Sequence, residues 1–509
     1  MEHIGSIACG GLFLLFAFFS GRQYIHMLQL NSYRAERYGR WLAEDVRRVL
    51  NLRAVFVWMA ALLYPVSPTA ALIAAAALFA LLNIRKKPAA KKPLVYTARV
   101  KRLLVTFMIV NMLFLASLVH PLWFLALLPL AGLLEGELVL ISLWINEPME
   151  RAVAHHYYKE AKDILQSMKH LIVIGVTGSF GKTSTKYAVA QLLSEKYNVL
   201  MTPGSFNTPM GVVRTIRESL KPTHQVFVVE MGAKNKGDIK ELCDLVSPTL
   251  GIISSVGPQH LETFGSMEAI VATKFELADA VQKNGGVMFL NYDNEYIRKR
   301  AFEGPKVTYG TGDGCDVAAK DISYSASGAA FSINGHAMKT KLLGQFNVVN
   351  IAGAAALAKH LGVAENDIAA AVRRLEAPEH RLKLSKNGRY TLIDDAYNAN
   401  PSGARAALEV LSLFPERKIL VTPGLVELGD QMEEANRALG AQAAKAADDI
   451  VRVGEKQAPP LREGALSAGF PEERLYVAKD IYDALHYVDT ITGDPAVVLL
   501  ENDLPDNFL

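Results

Sequence analysis

Leu171-Ile172-Val173-Ile174-Gly175-Val176-Thr177-Gly178-Ser179-Phe180-Gly181-Lys182-Thr183-Ser184 leads from an apolar, β-branched stretch through a glycine loop into a helical run, Thr183–Lys196. Strand, loop and helix in that order predict a phosphate cradle. Glycines let backbone N–H groups approach an anion, and the helix N-terminus favours negative charge. Lys182 would reach the terminal phosphates and the Thr183 hydroxyl would hold Mg²⁺. The full pattern asks for glycine five residues before Gly181, where this chain has Val176. The context therefore carries the reading, with Gly178, Ser179, Gly181, Lys182, Thr183 and Ser184 as candidate nucleotide-binding residues.

Downstream, short apolar runs at Val226–Glu230, Leu250–Ser254 and Val287–Asn291 alternate with helical stretches, a rhythm that predicts a parallel sheet covered on both faces. Residues 305–343 read as short strands and turns, followed by a helical pair at about 347–361 and 365–375. A second alternation starts at Tyr390–Asp394 and continues through helix 402–413, strand 418–422, helix 430–447, strand 449–453 and strand Ala496–Leu500. It predicts a further doubly wound domain, with a boundary near Pro378-Glu379-His380-Arg381.

Upstream, the chain changes character. The 509 residues carry a net charge of +3, yet residues 1–150 hold 15 Lys and Arg against 8 Asp and Glu, and the rest 39 against 43. Apolar runs occupy about 4–19, 54–82 (broken at Tyr64-Pro65-Val66-Ser67-Pro68) and 103–146 (broken near His120-Pro121). With basic stretches at 21–53 and 85–102, this pattern predicts about five membrane spans, since a span needs about 20 apolar residues and basic loops stay in the cytoplasm. The expected location is a cell membrane crossed several times, with everything after Pro148 on the cytoplasmic side and the bilayer as a partner. The first run lacks the basic leader and small-residue site of a cleaved signal. Glu135 and Glu137 lie inside the last apolar stretch, where carboxylates are costly and often functional; the other reading is a helix break near the interface. Cys9, Cys243 and Cys315 are too few and too scattered for a disulfide framework or a structural zinc. No nucleic-acid partner is expected.

Three more residues gain interest beside the loop. Glu230 ends an apolar strand, where a carboxylate can hold a metal. His260 follows Ser254-Ser255-Val256-Gly257-Pro258, and Lys274 lies in helix 266–283. Ligands of open α/β sheets bind beyond the carboxyl ends of strands, so Glu230 and His260 are placed to converge on the loop. Taken singly, the histidine reads as an ordinary core or surface residue and the lysine as a solvated helix face.

Gly175–Ser184, Val229-Glu230-Met231-Gly232 with Gly237-Asp238-Ile239, Ser255–Ser266 and Thr273-Lys274-Phe275-Glu276-Leu277 together resemble the Mur ligase family. The likeness continues through Gly344-Gln345-Phe346-Asn347-Val348-Val349-Asn350, His380-Arg381 and Asp394-Asp395-Ala396-Tyr397-Asn398-Ala399-Asn400-Pro401. The last of these, with Val426-Glu427-Leu428-Gly429, is closest to the branch that adds D-alanyl-D-alanine to a muramoyl tripeptide. Beside the transmembrane domain (1–150) read from the apolar runs, the resemblance implies a P-loop Mur ligase central domain (151–378) and a Rossmann-like C-terminal domain (379–509). It also implies an ATP-dependent, ADP-forming amide ligase of cell-envelope precursor synthesis. ATP would phosphorylate a substrate carboxylate and an amine would attack the acyl phosphate. Lys182 and two Mg²⁺ ions would neutralise phosphate charge; Thr183, Glu230, His260 and a carbamylated Lys274 would hold the metals. Asn347 and Asn350 would meet adenine, and Arg381 and Asp395 would reach ATP from the C-terminal domain. Asn207, Thr208, Tyr397, Asn398, Asn400 and Glu427 would meet substrate.

Two departures bear on the acceptor. No soluble UDP-binding domain is read ahead of the phosphate loop, and Ser205-Phe206-Asn207-Thr208-Pro209 stands where that branch more often has consecutive asparagines. The expected acceptor is thus a muramoyl-peptide-like carboxylate, small or lipid-linked, and the amine comes from an amino acid or dipeptide. A membrane-associated poly-γ-glutamate-type polymerising ligase and a non-ligating nucleotide-binding scaffold are the alternatives.

Overall fold

A computed structural model describes residues 2–45, 67, 93–116, 134–259, 261–397, 400–426, 428, 431–454, 458–492 and 495–502. The chain divides into two units, Met1–His156 with Pro505–Leu509, and Tyr157–Leu504.

The first unit is helical, with helices Glu2–Leu30, Ala35–Ala43, Ala98–Ala116 and the start of Glu135–Ser167. Its core gathers Ala17, Ile25, Leu28, Tyr38, Leu103, Phe107 and Val139. Tyr38 donates its hydroxyl to the Gly136 carbonyl at 3.2 Å, and Arg102 pairs with Glu150 at 2.6 Å. Here the membrane expectation is corrected. Among the described residues, no helix is long and apolar enough to cross a membrane. The physical reason lies in the charges. Helix Glu2–Leu30 carries Arg22, Gln23 and His26 in its second half, and helix Ala98–Ala116 begins with Arg99, Lys101 and Arg102. Helix Glu135–Ser167 opens on Glu135 and Glu137 and reaches Glu147, Glu150 and Arg151 after one short apolar stretch. The multi-pass membrane location with cytoplasmic ligase domains, the bilayer partner and the transmembrane domain are therefore not supported. The apolar run 54–82 (Ser67 excepted), most of the basic loop 85–93 and the break near His120-Pro121 lie outside the described residues.

The second unit carries two sheets. In the first, β1 (Ile172–Thr177), β2 (Val199–Met201), β3 (Val226–Glu230), β4 (Leu250–Ile253), β5 (Val287–Asn291), β6 (Lys306–Gly310), β7 (Val317–Ser325), β8 (Gly328–Ile333) and β9 (His336–Thr340) lie in the order β2-β3-β1-β4-β5-β6-β7-β8-β9. The pairs from β2 to β7 are parallel, and β7-β8-β9 form an antiparallel meander. Because successive side chains point to opposite faces, Ile174, Val226 and Val228 pack against helices Lys182–Leu193 and Gln345–His360. Val173, Phe227 and Val229 face helices Pro209–Ser219, Asp238–Val246 and Met267–Lys283 instead.

The second sheet orders β10 (Lys383–Asn387), β11 (Tyr390–Asp395), β12 (Arg417–Thr422), β13 (Asp449–Val453), β14 (Leu475–Ala478) and β15 (Ala496–Glu501) as β10-β11-β15-β12-β13-β14. All its pairs are parallel except β10 with β11. The alternation read in the sequence is present in both sheets. β2, β10 and β14 were not expected; each is an edge strand of three to five residues, too short to show a period of its own.

Candidate active site

β1 lies between β3 and β4, with Val176 beside Glu230 and Thr177 beside Ile253. The three strands run parallel and strand order switches sides at β1, with β2 and β3 on one side and β4 and β5 on the other, so the segments leaving them meet in one crevice, the usual ligand position of such sheets.

The glycine loop is held from the β4 side. Ser179 N–H donates to the Ser255 carbonyl at 2.7 Å and Phe180 N–H to Ser255 Oγ at 3.1 Å. Ser254 and Ser255 hydroxyls both donate to the Phe180 carbonyl, and Ser179 Oγ donates to the Gly257 carbonyl at 3.0 Å. Asn291 and Asn294 brace this support by donating to the carbonyls of Ser254 (2.6 Å) and Val256 (2.8 Å). Gly178 and Gly181 have φ of +153° and +76°, a region in which only glycine is comfortable. Gly181 is also the residue from which helix Lys182–Leu193 starts, and no side chain caps that end. Its first N–H groups are thus left for a ligand, as an anion site requires.

Lys182 turns back to the carbonyls of Gly178 (2.8 Å) and Ser179 (3.0 Å). Burial lowers its pKa to about 8, against the pull of Glu230 and with help from the Arg381 charge. Thr183 and Ser184 are half-buried in the first turn. Glu230 is sealed, 1% exposed, and its Oε1 accepts from Asn207 Nδ2 at 3.0 Å. Burial alone would raise this carboxyl, but the Lys186 and Lys182 ammoniums and the Asn207 amide together hold it below the usual range. Lys186 Nζ stands 3.0 Å from Glu230 Oε2, with both side chains closed to solvent.

Lys274, in helix Met267–Lys283, is buried rather than solvated. Burial, aided by the Lys182 charge, brings its pKa down to about 7. Arg381 lies over the Tyr397 ring at 4.4 Å from its centre, and its charge is felt at Lys182 and Asp395. Asp395 Oδ1 accepts from Leu382 N–H at 3.1 Å.

The other expected residues divide. Asn350 lies under the loop, where a β-carbon on Gly181 would come 3.0 Å from its Oδ1. Asn347 donates to the Leu343 carbonyl at 2.7 Å and Asn400 caps helix Pro401–Ser412 through Gly403 N–H, so both spend their amides locally. Thr208 is the N-cap of helix Pro209–Ser219 but makes no capping bond. His260, Asn398 and Glu427 lie outside the described residues. Among the described residues, no group of three His, Cys, Asp or Glu comes together as a metal site. Sequence reasoning missed Lys186, Asn291, Asn294 and the supporting role of the two serines. For Lys186 a signal existed: it lies one turn after Lys182, on the same helix face.

The residues present fit a nucleotide with its metal. Two glycines hold the loop in left-handed conformations, the helix end is uncapped, and Glu230 Oε2 has an ionic neighbour but no hydrogen bond. Fold and site define a P-loop nucleotide-binding α/β protein. Comparison with known proteins goes further: residues 176–358 match the Mur ligase middle domain and residues 380–501 the glutamate ligase domain of Mur ligases. The chain belongs to the Mur ligase family.

Among its relatives, the UDP-N-acetylmuramoyl-tripeptide–D-alanyl-D-alanine ligase of Bacillus subtilis (strain 168) is 33% identical over 308 residues, or 60% of this chain and 66% of that protein. The enzyme of the same name from Escherichia coli (strain K12) is 31% identical over 297 residues, 56% of this chain and 65% of that protein. The chain thus spans just under two thirds of the length of these relatives. The MurF ligase of Thermotoga maritima, solved with ADP, aligns over 69% of this chain and 80% of its own with a TM-score of 0.60 and 26% identity. MurF of Acinetobacter baumannii aligns over 69% and 77%, with a TM-score of 0.62 and 28% identity.

Proposed function

We propose that this chain is an ATP-dependent, ADP-forming ligase of peptidoglycan precursor synthesis, joining a muramoyl-peptide carboxylate to the amine of a D-alanyl-D-alanine-like dipeptide. The observation that carries the reading is the clamped glycine loop, with Lys182, Glu230 and Lys274 drawn around it in the crevice beyond β1 and β3. The names of the relatives supply the substrate class. In this reading residues 151–378 form the central ATP-binding domain and 379–509 the C-terminal domain.

Gly178, Ser179, Gly181, Ser184 and the first turn of the helix would cradle the phosphates, with Lys182 supplying positive charge where phosphoryl transfer develops negative charge. Thr183 and Glu230 would hold Mg²⁺, whose part is to neutralise phosphate oxygens. Lys274 has an amine poised near neutrality, the form able to add CO₂. Its carbamate would place a negative charge beside Lys182. Arg381 and Asp395 would approach the nucleotide from the second sheet, and Asn207, Thr208 and Tyr397 would line the substrate side.

The test is to incubate the purified chain with Mg²⁺-ATP, UDP-muramoyl tripeptide and D-alanyl-D-alanine, following ADP release and the mass of the product. ADP formed only with both substrates present, together with the amide, supports the reading. ADP release that ignores the dipeptide, with no amide formed, overturns it.

A further inference from the structure

Helix Lys182–Leu193 puts two lysines on one face, a turn apart. The first turns into the glycine loop. The second, Lys186, is fully buried and reaches two places at once: its Nζ donates to the Gly204 carbonyl at 2.5 Å and stands 3.0 Å from Glu230 Oε2. Glu230 in turn is gripped on its other oxygen by Asn207 from the same 203–208 segment, and Thr202 Oγ1 accepts from its backbone N–H at 3.1 Å. Helix, strand end and loop therefore meet at one carboxylate. A buried ion pair of this kind adds little net stability over an apolar pair of the same shape, whereas removing one partner strands a charge. Its retention beside the phosphate loop calls for a positional explanation.

We propose that Lys186 is a positioning residue of the ligase site: it fixes the orientation of the Glu230 carboxylate and ties the 203–208 segment to the helix that carries Lys182. It also partly neutralises Glu230, setting how strongly that carboxylate attracts a divalent cation. The inference rests on the ligase reading for its relevance to catalysis, but its physical content does not require turnover.

The experiment is a double-mutant cycle on the full chain with K186M, E230Q and K186M/E230Q, reading thermal midpoints with and without Mg²⁺ alone. K186M leaves Glu230 buried without its ammonium, so its midpoint falls, and the double variant, in which both charges of this pair are gone, recovers most of that loss. Mg²⁺ raises the midpoint of K186M more than that of the wild type, corresponding to about tenfold tighter binding at a carboxylate freed of its ammonium. E230Q and the double variant lose this response. If K186M does not fold, recovery of a folded K186M/E230Q supports the proposal equally. Additive losses in the cycle, a double variant that also fails to fold, or an Mg²⁺ response of K186M equal to the wild type overturns the proposal. Absence of ligation with the coupling intact would remove the functional reading alone; ligation without coupling would remove only the role of Lys186.

Discussion

Gly178 lies against Ser254 so closely that a β-carbon on the glycine would stand 2.2 Å from the serine Oγ, with the Ser255 carbonyl at 2.9 Å. The loop can follow its path only because position 178 has no side chain, and its φ of +153° adds a second reason. Gly178→Ala must therefore push the loop off its serine support. Strain of this type costs on the order of 1–3 kcal/mol, and the displaced N–H groups no longer converge on an anion. Calorimetric titration with ADP should show affinity reduced by about tenfold or more, equivalent to about 1.4 kcal/mol, while far-UV circular dichroism stays unchanged. Unchanged ADP affinity would remove the loop from the nucleotide site.

The loop was legible because its message is local: β-branched strand, glycines, lysine and helix follow one another in sequence. The alternation that builds both sheets was legible for the same reason. What clamps the loop was not. Ser254, Asn291 and Asn294 come from segments 70 to 120 residues away, joined only by sheet order. Lys274 was read as solvated from its residue type alone, although Ile270, Val271, Leu277 and Ala278, three and four residues away, put it on the apolar face of its helix. The apolar runs of the first 150 residues misled, because composition alone does not weigh Arg22, Arg102 or Glu137 against their neighbours within one helix.

Lys274 supplies a pH prediction for the metal-free, CO₂-free protein. Its amine is brought down to about 7 by burial, below the ordinary lysine value of 10.5. Between those values the unfolded chain binds the extra proton, so this group's contribution to stability rises with pH from about 7 toward 10 and is at its least favourable below 7. Lys274→Met should remove that slope and raise the thermal midpoint near pH 7. With CO₂ present, ¹³C-bicarbonate should give a carbamate resonance that Lys274→Ala lacks. Ligation should fall on the order of a hundredfold in Lys274→Ala and recover in part with acetate. A fully active alanine variant would end the carbamate proposal.

Arg381 is stacked on Tyr397, and its charge is felt both at Lys182 and at Asp395 and Glu501 of the second sheet. Arg381→Ala should lower kcat/KM for ATP by roughly a hundredfold if the guanidinium meets developing phosphate charge. Arg381→Lys keeps the charge but loses the planar stack, and should fall between the two. Initial rates at varied ATP decide it; equal kcat/KM in all three proteins would leave Arg381 a surface charge.

Asp395 and Glu501 are register partners at the ends of adjacent strands β11 and β15. Glu501 is fully buried, and burial and the facing Asp395 push its carboxyl well above the usual range. Burial likewise raises Asp395 to about 6, against the pull of Arg381. For a carboxyl raised in the folded state, the stabilising contribution is complete below about 4 and is lost as pH climbs through about 6. Above that pH the charge on Asp395, together with burial, resists ionisation of Glu501, and holding that carboxyl costs stability as pH rises. Glu501→Gln replaces one carboxyl with a neutral amide of the same shape. It should therefore change the thermal midpoint little at pH 4.5 and raise it at pH 8, by about 2–4 °C for each kcal/mol relieved. Scanning calorimetry of both proteins across that range gives the answer. A difference that does not vary with pH would mean that the two carboxyls do not sense each other.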